Sequence, residues 1–119
     1  MITPKTTAGL ALTEKQFQGQ VLDLARLLGW RAFHVFDSRR SAAGVPDLVM
    51  VRNGRLIFAE LKAAAGKVSA EQFAWMEALQ EVEDACEPNR TERAYGTPNH
   101  VQYHIWRPGD WAEIEEALR

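Results

Sequence analysis

A chain of 119 residues, 46% hydrophobic and 25% charged, has the size of one globular domain with one core and leaves no room for a second. No apolar run approaches the roughly 20 residues needed to span a bilayer, and Met1 to Leu12 lacks the basic start and long apolar stretch of a secretory signal. A soluble, intracellular protein is expected. One cysteine, Cys86, and three dispersed histidines exclude an internal disulfide and a thiolate zinc site, so any metal must rest mainly on carboxylates. The net charge of -2 argues against a surface coated in positive charge, the usual footprint of non-specific DNA binding. A local basic patch remains compatible with it, because a carboxylate metal site is acidic by construction; Arg31, Arg39 and Arg40 are its candidates.

Residues 1–12 show no clear period and are expected to form a flexible arm ahead of one domain over 13–119. Thr13 and Gln16 have the spacing of a capping box, and Phe17, Val21, Leu24 and Leu28 then recur as one buried helical face, ended by Gly29. Arg31 to Phe36 predicts a strand, and Asp37 to Val45 a polar loop. Asp47–Val51 and Arg55–Lys62 are strand-like runs around Asn53-Gly54, the strongest short-range hairpin signal. Both faces of these two strands are apolar, which predicts a place in the middle of a covered sheet. Ser69 with Gln72 caps a second helix presenting Phe73, Met76, Leu79 and Val82. Residues 84–99 turn polar and are expected to form an inserted loop. Val101–Trp106 predicts a last strand, Pro108-Gly109 a turn, and Asp110 the cap of a final helix through Leu118.

A two-residue turn at Asn53-Gly54 sets Arg52 opposite Arg55, and each further pair keeps the same sum of residue numbers. Asp47 then lies opposite Glu60, on the same face, with Cβ atoms about 4.5 to 5.5 Å apart. Like charges so placed destabilise a sheet unless a cation or a proton lies between them. Lys62 projects to the face of Glu60, because side chains alternate along a strand. Two acids and an ammonium at one end of a sheet suit phosphodiester hydrolysis, the acids holding a hard divalent cation such as Mg²⁺ and the lysine orienting water or neutralising phosphate charge. The bland reading is a strand-end salt bridge without metal.

Gly44-Val45-Pro46-Asp47 and Glu60-Leu61-Lys62 resemble the PD-(D/E)XK nuclease superfamily. With Glu14 on the preceding helix and Ser69 and Gln72 opening the next, the ordered set more closely resembles its VRR-NUC family, in the manner of its small stand-alone phage-type members. The likeness spans about residues 13 to 82, with Ile105 to Trp111 looking like the family's end. It implies a restriction-endonuclease-like three-layer α/β fold, a mixed central sheet flanked by helices in the order α-β-β-β-α-β-α. It also implies Mg²⁺ or Mn²⁺ dependence, a phage or bacterial host cytoplasm, and homodimers acting on branched DNA such as Holliday junctions.

On this reading Asp47, Glu60 and the Leu61 backbone carbonyl hold metal, Lys62 assists the water, and Glu14 adds a carboxylate. An acid in a first helical turn is also simply favourable to the helix dipole. Gln72 belongs to the site in the resembling family, but its spacing from Ser69 is equally explained by a helix cap. Arg39, Arg40, Ser38 and His34 are the candidate nucleic-acid contacts, against the plainer readings of a solvated basic loop and a structural histidine. The expected activity is metal-dependent cleavage of structured DNA. The alternative is a non-catalytic DNA-binding or assembly subunit that keeps the nuclease fold. A sugar- or nucleotide-handling enzyme lacks support, since no glycine-rich phosphate loop or nucleophile elbow is present.

Overall fold

A computed structural model describes residues 12–35, 42–85 and 101–119. Helix α1 spans Glu14–Leu27 and opens on a reciprocal cap, in which the Thr13 hydroxyl accepts the Gln16 amide at 3.1 Å and the Gln16 side chain accepts the Thr13 amide at 3.0 Å. Its buried stripe is Phe17, Val21, Leu24 and Ala25. Gly19 interrupts its exposed side, where glycine costs about 1 kcal/mol relative to alanine. A Cβ placed at Gly19 would meet nothing within 4 Å. The helix ends on Gly29, whose positive φ of 87° lets its amide reach the Arg26 carbonyl while the Trp30 amide reaches that of Ala25.

The chain then runs through β1 (Arg31–His34), β2 (Leu48–Arg52) and β3 (Arg55–Leu61). Asn53 and Gly54 both have positive φ, 49° and 79°, as a type I′ turn requires. The turn fixes the hairpin register expected from the sequence, from Arg52 opposite Arg55 to Leu48 opposite Ala59. Helix α2 (Ala70–Ala85) connects β3 to β4 (Val101–Trp106), which pairs parallel to β3. The sheet order is β1-β2-β3-β4, with β1 antiparallel on the outer side of β2, so the sheet is mixed and the hairpin strands occupy its middle. A 3-10 turn over Pro108–Asp110 leads into α3 (Trp111–Leu118).

One sheet face carries the core. Leu48, Met50, Ile57, Ala59, Leu61 and Trp106 pack against Phe17, Val21 and Leu24 of α1, Trp30, and Trp111, Ile114 and Leu118 of α3. The other face, which bears Val49, Val51 and Phe58, is covered only in part. Helix α2 packs against β4 and buries none of its own residues, leaving Val51 45% and Phe33 61% exposed. Among the described residues, therefore, the sheet is not covered on both sides of β2, as continuous apolar composition had suggested.

At the hairpin turn, Arg52 and Arg55 lie over the Trp30 ring at 4.7 and 5.0 Å from its centre. Arg52 donates to the carbonyls of Leu28, Leu118 and Arg119, and Arg55 to that of Ala117. Two guanidinium groups thereby satisfy the carbonyl ends of α1 and α3, where cations are electrostatically favoured.

Three local expectations change. Strand β1 stops at His34, and α2 continues through Asp84 and Ala85 because the polar residues there are solvent-facing helix positions. Asp110 stands at the N-cap position of α3 but makes no side-chain cap bond there; its carboxylate accepts the Arg107 amide at 2.8 Å and closes the preceding turn instead. Residues 1–11 of the expected arm, 86–99 of the expected insertion, and Asp37, Ser38, Arg39, Arg40 and Cys86 lie outside the described residues. Among the described residues, no helix is long and apolar enough to cross a membrane.

Candidate active site

The open end of the β2–β3 hairpin is where the acids meet. Pro46, fully buried, ends the hydrogen-bonded run of the hairpin, and Asp47 follows as the last residue before β2. Asp47 Oδ2 accepts the Leu61 amide at 2.8 Å, which ties the aspartate to the residue beside Glu60. Gly44 is needed where this loop meets α2: a Cβ there would fall 2.4 Å from the Glu71 carbonyl carbon. The Trp75 indole N–H clamps the same loop through the Ala43 carbonyl at 3.0 Å.

Glu14, Asp47 and Glu60 each bring one carboxylate oxygen to within 4.8 Å of the others. Glu60 is 1% exposed, and its Oε1 accepts a hydrogen bond from Gln72 Nε2 at 2.7 Å and lies 3.5 Å from Lys62 Nζ. Its Oε2 is buried and has no hydrogen-bond partner among the described residues. Burial, then the Asp47 charge, pushes the Glu60 carboxyl up to about 8, with the Lys62 ammonium offsetting only part of the effect. Burial and Asp47 also raise Glu14, again opposed by Lys62.

Three converging acids, one with an orphaned oxygen, form a donor set that fits a hard divalent cation. Carboxylates this close stay ionised together only when positive charge is added, and a single lysine does not supply enough.

Gln72 reconciles its two sequence readings. Its Oε1 accepts the Ser69 amide at 2.8 Å and its backbone amide donates to Ser69 Oγ at 3.1 Å, the reciprocal cap, while its Nε2 reaches Glu60. One amide side chain both starts α2 and orients an acid of the cluster.

Lys62 is 9% exposed, and its amide donates to the Trp106 carbonyl at 3.0 Å, so β4 extends its pairing to the lysine itself. The loop that follows is held by Arg107, whose Nη1 donates to the carbonyls of Ala63 at 2.9 Å and Gly66 at 2.6 Å.

Two residues here carried no sequence signal. Arg107 acts on a loop more than forty positions upstream, and Tyr103 reaches this face only through the parallel β3–β4 register that sets it beside Phe58. The Tyr103 hydroxyl is buried without a partner among the described residues, and burial followed by the Glu60 and Asp47 charges pushes it up to about 12.

The structure thus brings together Glu14, Asp47, Glu60, Lys62 and Gln72, with the Leu61 peptide between the last acid and the lysine. His34, half-buried, pairs with Leu48 at the end of β1, one residue before the Val35 amide that donates to the Asp47 carbonyl at 2.9 Å.

No known protein family matches the sequence, and no curated protein does. A solved structure described as a VRR_NUC domain superposes on this chain with a TM-score of 0.61 and 17% identity, covering 89% of this chain and 97% of that one. The chain has the VRR-NUC domain fold. At that identity the likeness carries architecture, so the VRR-NUC fold accounts for the mixed sheet and its flanking helices, and the chemistry has to be argued from the side chains. The acid cluster stands in this VRR-NUC fold at the end of the central hairpin, where α1, β2, β3 and the start of α2 converge.

Proposed function

We propose that this protein is a metal-dependent DNA endonuclease that hydrolyses phosphodiester bonds. The observation that carries the reading is the Glu14–Asp47–Glu60 cluster, with its orphaned buried Glu60 oxygen and adjacent Lys62, in a nuclease-type fold.

Asp47, Glu60, Glu14 and the Leu61 carbonyl would hold Mg²⁺ or Mn²⁺. Such an ion, when bound, supplies Lewis acidity toward water and a phosphate oxygen. The protein's own part is orientation. Asp47 keeps one oxygen on the Leu61 amide, which fixes the direction of the other, and Gln72 does the same for Glu60. Lys62 Nζ, held on a buried stem against Glu60, is a point charge able to orient the attacking water and to offset charge accumulating on the phosphate. The acidity that a bound cation would give to water is what would let it lose a proton here.

Branched DNA, Holliday junctions included, is the substrate class we carry, with a homodimer placing two such centres for paired cuts. A protein of 13.4 kDa offers little surface to grip a junction alone, and the exposed Phe33 and Val51 provide apolar area for self-association. His34, Ser38, Arg39 and Arg40 are the proposed DNA contacts.

The test is cleavage of linear, flapped and four-way DNA by purified protein in Mg²⁺ or Mn²⁺. Branched substrates are expected to be cut, and Lys62→Ala and Asp47→Ala to lose about 10²-fold or more of the rate, the usual scale for removing one electrostatic contributor. Binding without cleavage in either ion sinks the enzyme and leaves a DNA-binding subunit. Sedimentation showing only monomer at micromolar concentration removes the dimer.

A further inference from the structure

An open groove of about 480 Å³ lies between the exposed flank of α1 and the end of β1, lined among the described residues by Lys15, Gln18, Gly19, Leu22 and His34. Residues 15, 18, 19 and 22 form a single helical stripe, about a third of a turn from the buried one, and Glu14 of the acid cluster lies between the two at the start of the helix. The groove's other wall ends at His34, one residue before the Val35–Asp47 backbone bond. Both walls therefore run directly into the candidate active site.

Gly19 is the telling residue. Glycine weakens a helix interior, and among the described residues nothing requires its small size, since a Cβ there meets no atom within 4 Å. The bare backbone at Gly19 leaves the floor of the groove open to a chain lying along it. Its chemistry is indicated by the walls: an ammonium at Lys15 and an imidazole at His34, with the Leu22 side chain and the Gly19 backbone between them. Among the described residues, the charge on α2 disfavours that helix as the binding face. Helix α2 carries Glu71, Glu77, Glu81, Glu83 and Asp84 with no lysine or arginine, and repels a polyanion.

We propose that this groove holds the sugar–phosphate backbone of one DNA strand next to the scissile position, a phosphate meeting Lys15 and a deoxyribose lying over Gly19 and Leu22. The proposal rests on the nuclease reading and extends it, assigning α1 a strand-guiding role beyond the acid cluster.

The experiment compares wild type, Gly19→Ala and Lys15→Gln for binding to fluorescent four-way and duplex DNA in Ca²⁺ over a salt series, beside thermal unfolding and cleavage in Mg²⁺. Gly19→Ala is expected to unfold a few degrees higher, because alanine favours the helix, yet to bind DNA about 3- to 10-fold more weakly. Lys15→Gln should reduce the slope of log K against log salt by about 0.7 to 0.9, the loss of one phosphate contact. If wild type binds and cuts DNA while both variants match it, the groove assignment is overturned and the nuclease reading stands. If wild type neither binds nor cuts, both fall. If both variants lose thermal stability but keep DNA affinity, the groove is filled by another segment of this chain and the assignment is likewise overturned.

Discussion

Gln72 Nε2 donates to Glu60 Oε1 at 2.7 Å while the same side chain's oxygen accepts the Ser69 amide at 2.8 Å, so the amide that begins α2 also aims the most buried acid of the cluster. Loss of either Ser69 or Gln72 removes the reciprocal cap, worth about 1 kcal/mol. Only loss of Gln72 frees Glu60. Ser69→Ala should therefore lower stability by about that amount with cleavage nearly unchanged. Gln72→Ala should add a 10- to 100-fold loss in metal affinity or rate, as expected when the partner that orients a ligand is removed. Chemical denaturation, metal titration and cleavage rates separate the two, and equal losses of activity in both variants would reduce Gln72 to a helix cap.

Glu60 sets a pH dependence whose sign follows from its raised carboxyl. Its proton is held in the folded protein up to about 8 but released by the unfolded chain from its ordinary 4.5. Below 4.5 both states are protonated and this contribution to stability is complete; it declines as pH rises from 4.5 to about 8 and is gone above that. Glu14, also raised, acts in the same direction. The metal-free protein in chelator should melt lower at pH 8.5 than at pH 5.5, and Glu60→Gln should melt with a smaller difference between the two. Added Mn²⁺ should stabilise the wild type more at pH 8.5, because the ion competes with that proton. An identical pH response in wild type and Glu60→Gln would refute this account of Glu60.

The geometry of the acid cluster was legible because it is local. Asp47 and Glu60 are joined by one type I′ turn whose Asn-Gly sequence fixes register, so counting outward from Asn53 is enough to set the acids face to face. Glu14 joins them through the helix stripe that also carries Phe17 and Val21. What was not legible depends on long-range pairing. Tyr103 and Arg107 act on β3 and its following loop only after the chain has passed through α2 and returned parallel, and no pattern near either residue encodes that register. The partial covering of the outer sheet face was missed for a related reason, since apolar composition states what a strand can bury and not which helix arrives to bury it.

Arg107 gives a prediction that sequence reasoning would not have reached. Its guanidinium fastens the Ala63 and Gly66 carbonyls, and Gly66 packs against the Lys62 stem, its Cβ position 3.4 Å from Lys62 Cδ. Arg107→Ala removes charge-assisted hydrogen bonds worth about 1.5 to 3 kcal/mol each before relaxation. A loss of about 2 kcal/mol in chemical denaturation is expected, with cleavage reduced about 10-fold through a less constrained Lys62. Arg107→Lys, which keeps the charge but not the fork, should recover only part of either. Full activity in Arg107→Ala would show that Lys62 is positioned by its own strand pairing alone.

Trp30 supplies the opposite case, a residue central to stability and remote from chemistry. Its indole N–H donates to the Leu118 carbonyl at 2.9 Å, and its ring receives both Arg52 and Arg55, which face each other across the hairpin and would otherwise repel. Burial and the Arg52 charge lower the Arg55 pKa, the mark of that crowding. Trp30→Phe keeps a ring but loses the N–H bond and the better cation–π face, which together should cost about 1 to 3 kcal/mol. Trp30→Leu loses the ring as well and should cost more. The hairpin turn stands about 17 Å from the Asp47 end at the usual rise per residue, so below the unfolding transition both variants should cut DNA at the wild-type rate. A loss of rate in folded Trp30→Phe would mean that the two ends of the hairpin are coupled, and that the clamp of α1 and α3 onto the turn helps to hold Glu14 in place.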